Sequence, residues 1–366
     1  MKKVKYLSGK YISEELPGVD KKIISQIDQM KAFGLNVERI YVNKKKNILR
    51  AIPFSSTFAW NNIKVVDSDV LYIRMEPFSY PFIRLLKKCR RANPNIRIIL
   101  EFPTYPYEGE LIKLHFITRF RDYIYRKQLY KYIDRAVVYL SQKDVFGIKP
   151  ICIVNGIDVN SIPVSYKRAP DGEIHLLSVA SLQSYHGYER VIRGLKEYYQ
   201  SEHDIRILYD IVGDGEAESE LKECVRTCGL NEYIHFHGRK TGKDLNPYFD
   251  NADIALGSFG LYKRGSNISS ALKTREYLAR ALPVVSGCVE DVLHDRNLDF
   301  YLEFENNETP IDMNTIIDFY NKIYVSSDYV SILSSIRKFA EENVDNSIAF
   351  KPVVDYVLNP ESDSSN

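Results

Sequence analysis

At 366 residues, the chain is too long for one compact core and has the length of two medium-sized domains. A hydrophobic content of 45% with 27% charged residues excludes a disordered or fibrous protein, and no apolar run reaches the roughly 18–20 residues that cross a bilayer. The charge is polarised: residues 1–165 hold 29 Lys and Arg against 15 Asp and Glu, whereas residues 166–366 hold 21 against 33, which favours two bodies with different partners.

Strands and helical stretches alternate through the first half of the chain, which predicts a parallel sheet with helices on both faces. The N-terminal residues 1–9 are too polar for a secretory signal and are interpreted as a first strand. Gly34 stands where the first helical pattern needs a C-terminal cap. The predicted strands are 3–8, 37–42, 70–74, 96–100 and 136–140, and the predicted helices are 20–33, 80–91 and 111–133.

Residues 160–173 are rich in Pro, Ser and charge without periodicity and are interpreted as a linker. The alternation then restarts, so a second domain of the same kind is expected. We predict domains at 1–165 and 166–340, followed by a C-terminal helix within 341–366 that packs back toward the first domain and ends in a frayed tail at 361–366. The predicted strands are 174–180, 205–212, 234–237, 253–256 and 283–286, and the predicted helices are 188–199, 216–228, 245–251, 269–280 and most of 312–358.

Two short loops of the second half have the composition of tight turns. Gly213 and Gly215 end a strand and open a helix, where glycine permits positive φ and close backbone approach. This pattern is not GxGxxG, and it occurs in many α/β proteins. Residues 155–158, Asn-Gly-Ile-Asp, either close the first domain as a simple turn or form a loop beside a binding site.

The segment 266–285 is the most informative part of the sequence. Ser269 and Ser270 stand where a helix is predicted to begin, so free backbone N–H groups and the positive end of the helix dipole can receive a phosphate. Lys273 adds a positive charge in the first turn. Glu276 lies too far along the helix to be a cap, and it is placed to accept hydrogen bonds from ribose hydroxyls. As a lone residue it is better explained as a solvated helix charge.

Five fragments in this order resemble the motifs of one enzyme family. Residues 155–158 resemble its NG(V/I)D turn, 178–187 occupy the place of its "GR…KG" stretch, 212–215 resemble its GDG loop, 237–239 are similar to its F-x-G strand end, and 276–285 resemble its signature E-(A/Y)-(M/L)-A-x-G-x-P-V-(V/I). The chain therefore resembles the retaining glycosyltransferases of the GT-B fold, the group-1 or GT4-type class. The resemblance covers most of the chain and is strongest over residues 150–290.

The resemblance implies an α/β protein of the GT-B fold, with two Rossmann-like domains facing each other across a cleft. It implies a nucleotide-sugar donor held by the C-terminal domain, a saccharide acceptor held by the N-terminal domain, and no cofactor or obligatory metal. Carried over motif by motif, the donor-binding residues are Ser181, His186, Gly213, Gly215, Gly238, Arg239, Ser269, Ser270, Lys273 and Glu276.

The sequence departs from the family pattern at four positions. The first glutamate of the family's E-x7-E motif, which normally contacts the donor sugar, is Ile268 here. Ser181 and His186 replace the usual Arg and Lys of the "GR…KG" stretch, and Ala281 replaces a glycine. The diphosphate charge must then be met by Lys273, by helix-start amides and by Lys263 or Arg264. Residues 270–277 are similar to a variant "S-x-K-x-x-E-Y" branch of the family.

The first domain offers a Pro- and Tyr-rich loop directly after a predicted strand, where ligands bind in open α/β sheets. Glu101 at its base is our candidate for a base or an acceptor-positioning acid, and Glu101 and Lys273 are the two catalytic candidates. Tyr105, Tyr107 and Gly18 are the acceptor-binding candidates. The alternative is a surface loop with aromatic packing. The resemblance further implies front-face attack by the acceptor, with the leaving diphosphate helping to take its proton.

Basic and aromatic residues interleave at 82–91 and 113–132, as on surfaces that lie on anionic membranes. This favours a cytoplasmic enzyme that is peripheral on the inner face of the cell membrane and uses a lipid-linked saccharide of bacterial surface polysaccharide synthesis. An ordinary amphipathic helix with a solvated basic face explains the pattern almost as well. No nucleic-acid recognition motif accompanies the charge.

Two other functions were weighed against this hypothesis. A Rossmann oxidoreductase is disfavoured because the first βα turn, at residues 8–12, lacks the dinucleotide glycine pattern. A catalytically inactive GT-B protein that binds a nucleotide-sugar or a partner remains an alternative because of Ile268, Ser181 and His186. The five cysteines suit a reducing cytoplasm, and Cys224 and Cys228 lack metal-spaced partners, so no metal site is expected.

Overall fold

Two sheets of six parallel strands organise the chain. The computed structural model describes residues 1–9, 17–43, 60, 63, 67–74, 78–107, 111, 114–139, 141–165, 172–325 and 328–359; the predicted 361–366 tail and residues 166–171 of the predicted linker lie outside these residues. The chain divides into unit 1, Met1–Val154 with Asn346–Asn366, and unit 2, Asn155–Asp345.

The sheet of unit 1 has the strand order β2-β1-β3-β4-β5-β6, with every neighbouring pair parallel. Its central strands β3 and β4 are mostly apolar and almost entirely buried because helices cover both faces, as parallel sheets require. Its elements are β1 (Lys3–Gly9), α1 (Pro17–Ala32), β2 (Asn36–Val42), β3 (Val70–Arg74), α2 (Tyr80–Ala92), β4 (Arg97–Glu101), α3 (Phe116–Arg126), β5 (Arg135–Val138) and β6 (Pro150–Cys152).

The sheet of unit 2 has the strand order β14-β12-β10-β7-β8-β9, again all parallel, and a separate parallel ribbon joins β11 to β13. Its strands are β7 (Glu173–Val179), β8 (Arg206–Val212), β9 (Ile234–Phe236), β10 (Ile254–Leu256), β11 (Ile268–Ser269), β12 (Val284–Ser286), β13 (Val289–Glu290) and β14 (Tyr301–Glu303). Its helices are α4 (Glu189–Tyr199), α5 (Glu218–Cys228), α6 (Asn246–Asn251), α7 (Leu272–Ala279), α8 (Met313–Tyr324) and α9 (Tyr329–Asn343).

The C-terminal helices α10 (Asn346–Ala349) and α11 (Lys351–Leu358) belong to unit 1. Phe350, Val353, Val354 and Val357 lie in the same buried cluster as β1 and β3 residues. The carbonyl of Val357 also accepts hydrogen bonds from Lys2 Nζ at 2.9 Å and from Arg97 Nη1 at 2.7 Å.

Three boundaries differ from the sequence expectation. The units divide at 154/155 rather than at 165/166, because Asn155 Nδ2 donates to the Ser270 carbonyl at 2.7 Å and Ile157 N donates to the Val344 carbonyl at 3.0 Å. Helix α3 covers eleven residues rather than the predicted 111–133, since the chain leaves it through a 3-10 turn that buries Leu129. The predicted helical stretch 312–358 is four helices, α8 to α11.

Deleting residues from Asn346 onward should unfold unit 1, because a fully buried apolar side chain contributes about 1.5–3 kcal/mol and at least four are lost. Limited proteolysis with mass spectrometry should then place the new cleavage sites in unit 1 and leave unit 2 protected. Deleting only residues 360–366 is the control, and it should leave the melting temperature unchanged. An intact unit 1 in the longer deletion would contradict the assignment of α10 and α11 to its core.

Candidate functional site

Three loops of unit 2 that hold predicted donor residues leave the sheet at the carboxyl ends of its parallel strands, which lie at one edge. Ser181 follows β7 and is exposed, while Gly213 and Gly215 follow β8. Gly238 and the exposed Arg239 come after β9. Ligands bind at this edge in open α/β sheets, so the fold collects these predicted donor residues in one place.

The glycine turn after β8 packs directly on the loop after β7. Gly213 has a φ of 137°, its N–H donates to the Gly238 carbonyl at 2.8 Å, and an added Cβ would lie 1.8 Å from the Ala180 carbonyl oxygen. At Gly215 an added Cβ would lie 2.2 Å from the Leu182 carbonyl oxygen. Only glycine allows this backbone conformation and this approach, so both glycines are required for the shape of the edge.

His186 lies in the same edge but carries no charge. Its side chain is buried, its Nδ1 accepts from the Gln183 N–H at 3.3 Å, and its carbonyl accepts from the Phe259 N–H at 2.7 Å. Burial, together with the charges of Lys273 and Arg264, lowers the pKa of His186 to about 2. The imidazole is therefore neutral at physiological pH and cannot replace the positive charge of a lysine.

Lys273, in the first turn of α7, brings a positive charge to this edge. Its ammonium donates to the Tyr188 hydroxyl at 2.9 Å and to the Gly257 carbonyl at 2.8 Å. Both partners are neutral, and among the residues that the structure describes no carboxylate forms an ion pair with it. A fixed ammonium with neutral partners at a helix start is suited to bind an anion. By contrast, Lys263 is paired with Glu189 at 2.6 Å.

Helix α7 is fixed to the sheet by its own side chains. The Tyr277 hydroxyl accepts from the Val179 N–H at 2.9 Å, directly at the end of β7. Arg275 is fully buried, pairs with Asp291, and donates to the Asn155 carbonyl at 3.1 Å. These contacts hold the first turn of α7, and with it Lys273, in one position.

Sequence reasoning missed Tyr188 and Arg275, which position Lys273 and the head of α7. Arg275 lies two residues after Lys273 and one before Glu276, so the helical period places it on another face and suggests a solvated charge. Its complete burial depends on acids at positions 290 and 291, which are close to it only in the folded chain. The sequence around Tyr188 gives no indication that its hydroxyl contacts Lys273.

The predicted start of α7 is wrong by three residues. Ser269 lies in β11 and is buried, and the helix begins at Leu272 after Ala271, whose side chain offers no cap. The carbonyl and hydroxyl of Ser270 both accept from Asn155 Nδ2, at 2.7 and 3.3 Å. The two serines therefore fix the approach to the helix, and the first-turn N–H groups are the predicted anion donors. Glu276 lies in the second turn.

Glu276 is partly exposed and forms an ion pair with Arg280 at 3.2 Å, one helical turn further on. Arg280 itself is buried and lies over the Phe249 ring at 3.9 Å. The buried guanidinium of Arg280 thus orients the carboxylate of Glu276. The Glu276 side chain remains partly exposed to solvent. This arrangement is compatible with the predicted role of accepting hydrogen bonds from hydroxyl groups.

Glu101 occupies the interior of unit 1 rather than a surface. The side chain has no exposed area, forms an ion pair with Arg74 on the neighbouring strand, and accepts from the hydroxyls of Tyr139 and Tyr72, the latter at 2.7 Å. Burial would raise the pKa of Glu101, but Arg74 and the two hydroxyls outweigh it and the pKa lies below its usual value. A buried, fully paired and ionised carboxylate cannot act as a base on an acceptor, so this candidate role is corrected to a structural one.

Two of the acceptor candidates, Tyr105 and Tyr107, pack against the same rings, those of Phe102 and Phe146. Tyr107 is completely buried and donates to Asp122 Oδ2 at 2.9 Å, so it too is structural and the prediction is corrected. Tyr105 is half-buried against the core of unit 1, with its ring 5.8 Å from that of Phe102. Gly18 lies in the first turn of α1.

Neither a metal site nor a membrane span is found in the part of the chain that the structure describes. No group of three or more His, Cys, Asp or Glu side chains there could hold a metal ion. No helix among the same residues combines the length and apolarity needed to cross a bilayer.

Comparison with known proteins gives a family for unit 2. Residues 165–286 match the family described as glycosyl transferases group 1. These residues form a group 1 glycosyltransferase domain. The predictions of a GT-B fold and of a glycosyltransferase are thereby confirmed. Among curated proteins, none matches the sequence.

Solved structures with the same fold cover the chain from end to end. A glycosyltransferase from Rickettsia africae is similar with a TM-score of 0.65 at 12% identity, over 98% of this chain and 99% of that one. The lipopolysaccharide outer core galactosyltransferase WaaB gives 0.63 at 14% identity, over 98% and 99%. Anabaena Alr3699/HepE in complex with UDP and glucose gives 0.59 at 12% identity, over 98% and 100%. Identities this low establish the fold alone.

Replacing Glu101 by Gln should lower the free energy of unfolding by about 3–5 kcal/mol, because Arg74 keeps a buried charge without its ionised partner. The wild type should also lose stability as the pH falls below about 4, since a carboxylate with a lowered pKa stabilises the fold only while ionised. Chemical denaturation over pH checks both.

Glu38→Gln is the matched control, because Glu38 is exposed and its ion pair with Lys5 is long, at 3.9 Å. It should change the free energy of unfolding by less than about 1 kcal/mol. A Glu101→Gln enzyme of normal stability that has lost only its transfer activity would restore Glu101 as a catalytic candidate.

Proposed function

We propose that this glycosyltransferase transfers a sugar from a UDP-sugar to a lipid-linked saccharide with retention of configuration. The observation that carries the donor half of the proposal is the ammonium of Lys273. It lies at the head of α7, beside the loops after β7 and β10, and its hydrogen-bond partners are the neutral oxygens of Tyr188 and Gly257. A diphosphate is the ligand that supplies the missing negative charge.

UDP is the nucleotide that the similar structures favour. HepE of Anabaena was solved with UDP and glucose, with UDP alone and with UDP-glucose. The glycine turn at Gly213 and Gly215 packs on the loop after β7 at the same edge of the sheet, and Gly238 with Arg239 follows the neighbouring strand. In this proposal the base lies toward Gly238, the diphosphate at Lys273, and the ribose hydroxyls at Glu276.

The proposed reaction is a front-face displacement. The bond between the anomeric carbon and the diphosphate oxygen breaks, the acceptor hydroxyl forms the new glycosidic bond on the same face, and its proton passes to the departing diphosphate. Lys273 and the first-turn N–H groups of α7 stabilise the negative charge that develops on the leaving group. Glu101 takes no part, because it is buried in the core of unit 1.

The acceptor half of the proposal is supported by charge. Residues 1–165 hold 29 Lys and Arg against 15 Asp and Glu, and a lipid-linked saccharide is held at a membrane surface, which is anionic on its cytoplasmic side. WaaB, one of the similar proteins, is a lipopolysaccharide outer core galactosyltransferase. We propose a comparable role for this chain, the synthesis of a bacterial surface polysaccharide at the inner face of the cell membrane.

An inactive nucleotide-sugar-binding protein is the second candidate, favoured by specific departures in the donor site. Ile268 is 45% exposed where the family pattern has an acid, and His186 is neutral where it has a lysine. Release of UDP from a UDP-sugar, with or without acceptor, distinguishes the two. Tight UDP binding without any turnover would establish the inactive form.

Replacing Glu276 by Ala should weaken UDP binding about tenfold to a hundredfold, the free energy of one hydrogen bond to a charged group. Calorimetry with UDP measures the affinity directly. A thermal-shift series over nucleoside diphosphates and UDP-sugars identifies the preferred base and sugar, because a ligand that binds only the folded state raises the melting temperature.

Glu341→Ala is the matched control for this variant. Glu341 forms the same kind of ion pair, with Arg337 one turn earlier on α9, at 2.8 Å. It removes a carboxylate of equal charge from another helix and should leave UDP affinity unchanged. Equal affinities for all three proteins would remove Glu276 from the donor site.

Membrane association should depend on anionic lipid and weaken with salt. The protein should float with vesicles of phosphatidylcholine containing 30% phosphatidylglycerol, and the bound fraction should fall between 0.05 and 0.5 M NaCl as the Debye length shortens from about 14 to about 4 Å. Vesicles of phosphatidylcholine alone are the control. Equal binding to both compositions would contradict the electrostatic account.

A further inference from the structure

Helix α3 of unit 1 buries polar side chains and exposes apolar ones, which is the reverse of an ordinary surface helix. The side chains that it buries are polar: Thr118, Arg121 and Asp122. Its outward face is apolar and aromatic, and together with Leu114, two residues before the helix, the exposed apolar set comprises Leu114, Phe116, Phe120, Tyr123 and Ile124. A helix of a globular protein normally places these two classes the other way round.

The polar contacts of Asp122 determine which face points outward. Its Oδ1 accepts from the Phe78 N–H at 2.7 Å, and its Oδ2 accepts from the Tyr107 hydroxyl at 2.9 Å. Because Asp122 is completely buried, breaking these bonds would leave an unpaired charge in the interior. The helix therefore cannot roll over to hide its aromatic residues.

Exposing these aromatic side chains to water costs free energy unless a partner covers them. Phe116 is 68% exposed and Phe120 is 65% exposed, and they lie one turn apart on the same face. Tyr80 and Tyr130 are also about half exposed, and Tyr80 adjoins Tyr125 of α3 with ring centroids 6.2 Å apart. A contiguous apolar patch of this kind marks a docking surface.

The charge around the patch indicates what covers it. Residues 111–133 carry six Lys and Arg but a single acid, Asp122, which is buried. Lys127 lies over the Tyr123 ring at 3.9 Å and donates to its hydroxyl at 2.7 Å, and Arg119 is exposed between the two phenylalanines. Phenylalanine and tyrosine flanked by Lys and Arg suit the boundary between headgroups and acyl chains, whereas protein interfaces are depleted in lysine.

We propose that α3 is an interfacial anchor, whose outward face inserts Phe116 and Phe120 into the acyl boundary of an anionic bilayer while Arg119 and Lys127 bind lipid headgroup phosphates. The helix is about 16 Å long at 1.5 Å per residue, so it lies in the interface plane and does not cross the bilayer. The inference rests on the proposed membrane-bound acceptor, and it adds that binding requires apolar insertion besides charge.

The test compares two double variants on vesicles of phosphatidylcholine with 30% phosphatidylglycerol. Phe116→Ser with Phe120→Ser should reduce the equilibrium constant for vesicle binding about tenfold to a hundredfold, because the variant lacks much of the transfer free energy of the two inserted rings. Val325→Ser with Val330→Ser is the matched control, because both valines are well exposed in unit 2, at 68% and 58%. It should bind as the wild type does.

A second measurement reports insertion itself. The chain has one tryptophan, Trp60, which is buried, so Phe120→Trp adds the only exposed indole. Vesicles with brominated acyl chains should quench the added emission, and the wild-type emission should change little.

Four outcomes are informative. Reduced binding of the phenylalanine variant together with quenching supports the anchor. Vesicle binding without any effect of the phenylalanines, or without quenching, overturns the anchor but leaves the membrane proposal standing. Concentration-dependent dimerisation that the same variant abolishes would assign the face to a second copy of the chain and overturn it too. UDP affinity, measured by calorimetry on the same proteins, should be unchanged throughout, so a failure of the donor site is recognised separately.

Discussion

The contact on which the donor site depends is that between the ammonium of Lys273 and two neutral oxygens, those of Tyr188 and Gly257. Its position is determined from three directions. Tyr277 joins α7 to the end of β7, Arg275 joins it to Asn155 and Asp291, and the glycine turn after β8 packs against the loop that follows β7. Because none of these contacts neutralises Lys273, the fold leaves its positive charge available to a ligand.

Unit 1 contains the opposite arrangement. Glu101 also lies at the carboxyl end of a parallel strand, yet Arg74 and two tyrosine hydroxyls satisfy its charge completely. Each residue satisfies a sequence rule for a binding group: Glu101 is a polar side chain at the end of a buried strand, and Lys273 is a cation at a helix start. A charged side chain is structural when an opposite charge pairs with it, and it is suited to bind a ligand when its partners are neutral. These partners are distant in sequence: Arg74 for Glu101, and Tyr188 for Lys273.

Much of the fold could be predicted from apolar periodicity, because the long strands and helices of both units repeat it over five residues or more. The elements that were missed are β6, β11, β13 and β14, each of only two or three residues. Strands of this length show little period. The equally short β9, β10 and β12 were predicted, since each adjoins a helix in the strand–helix alternation. The start of α7 was misplaced because Ser269 pairs with Glu290 in the ribbon of β11 and β13, and this non-local pairing draws the predicted helix start into a strand.

Helix α3 shows a different limit of sequence reasoning. Its period predicts an amphipathic helix correctly, but a period cannot say which of the two faces is buried. The usual rule assigns the apolar face to the interior, and here Asp122 overrides it, because a buried carboxylate with two directed hydrogen bonds determines the orientation more strongly than phenylalanines that can find an apolar partner elsewhere. Tyr107, expected to touch an acceptor, is one of those two donors. The residue that seemed to recognise a saccharide thus holds in place the helix whose aromatic face is turned outward.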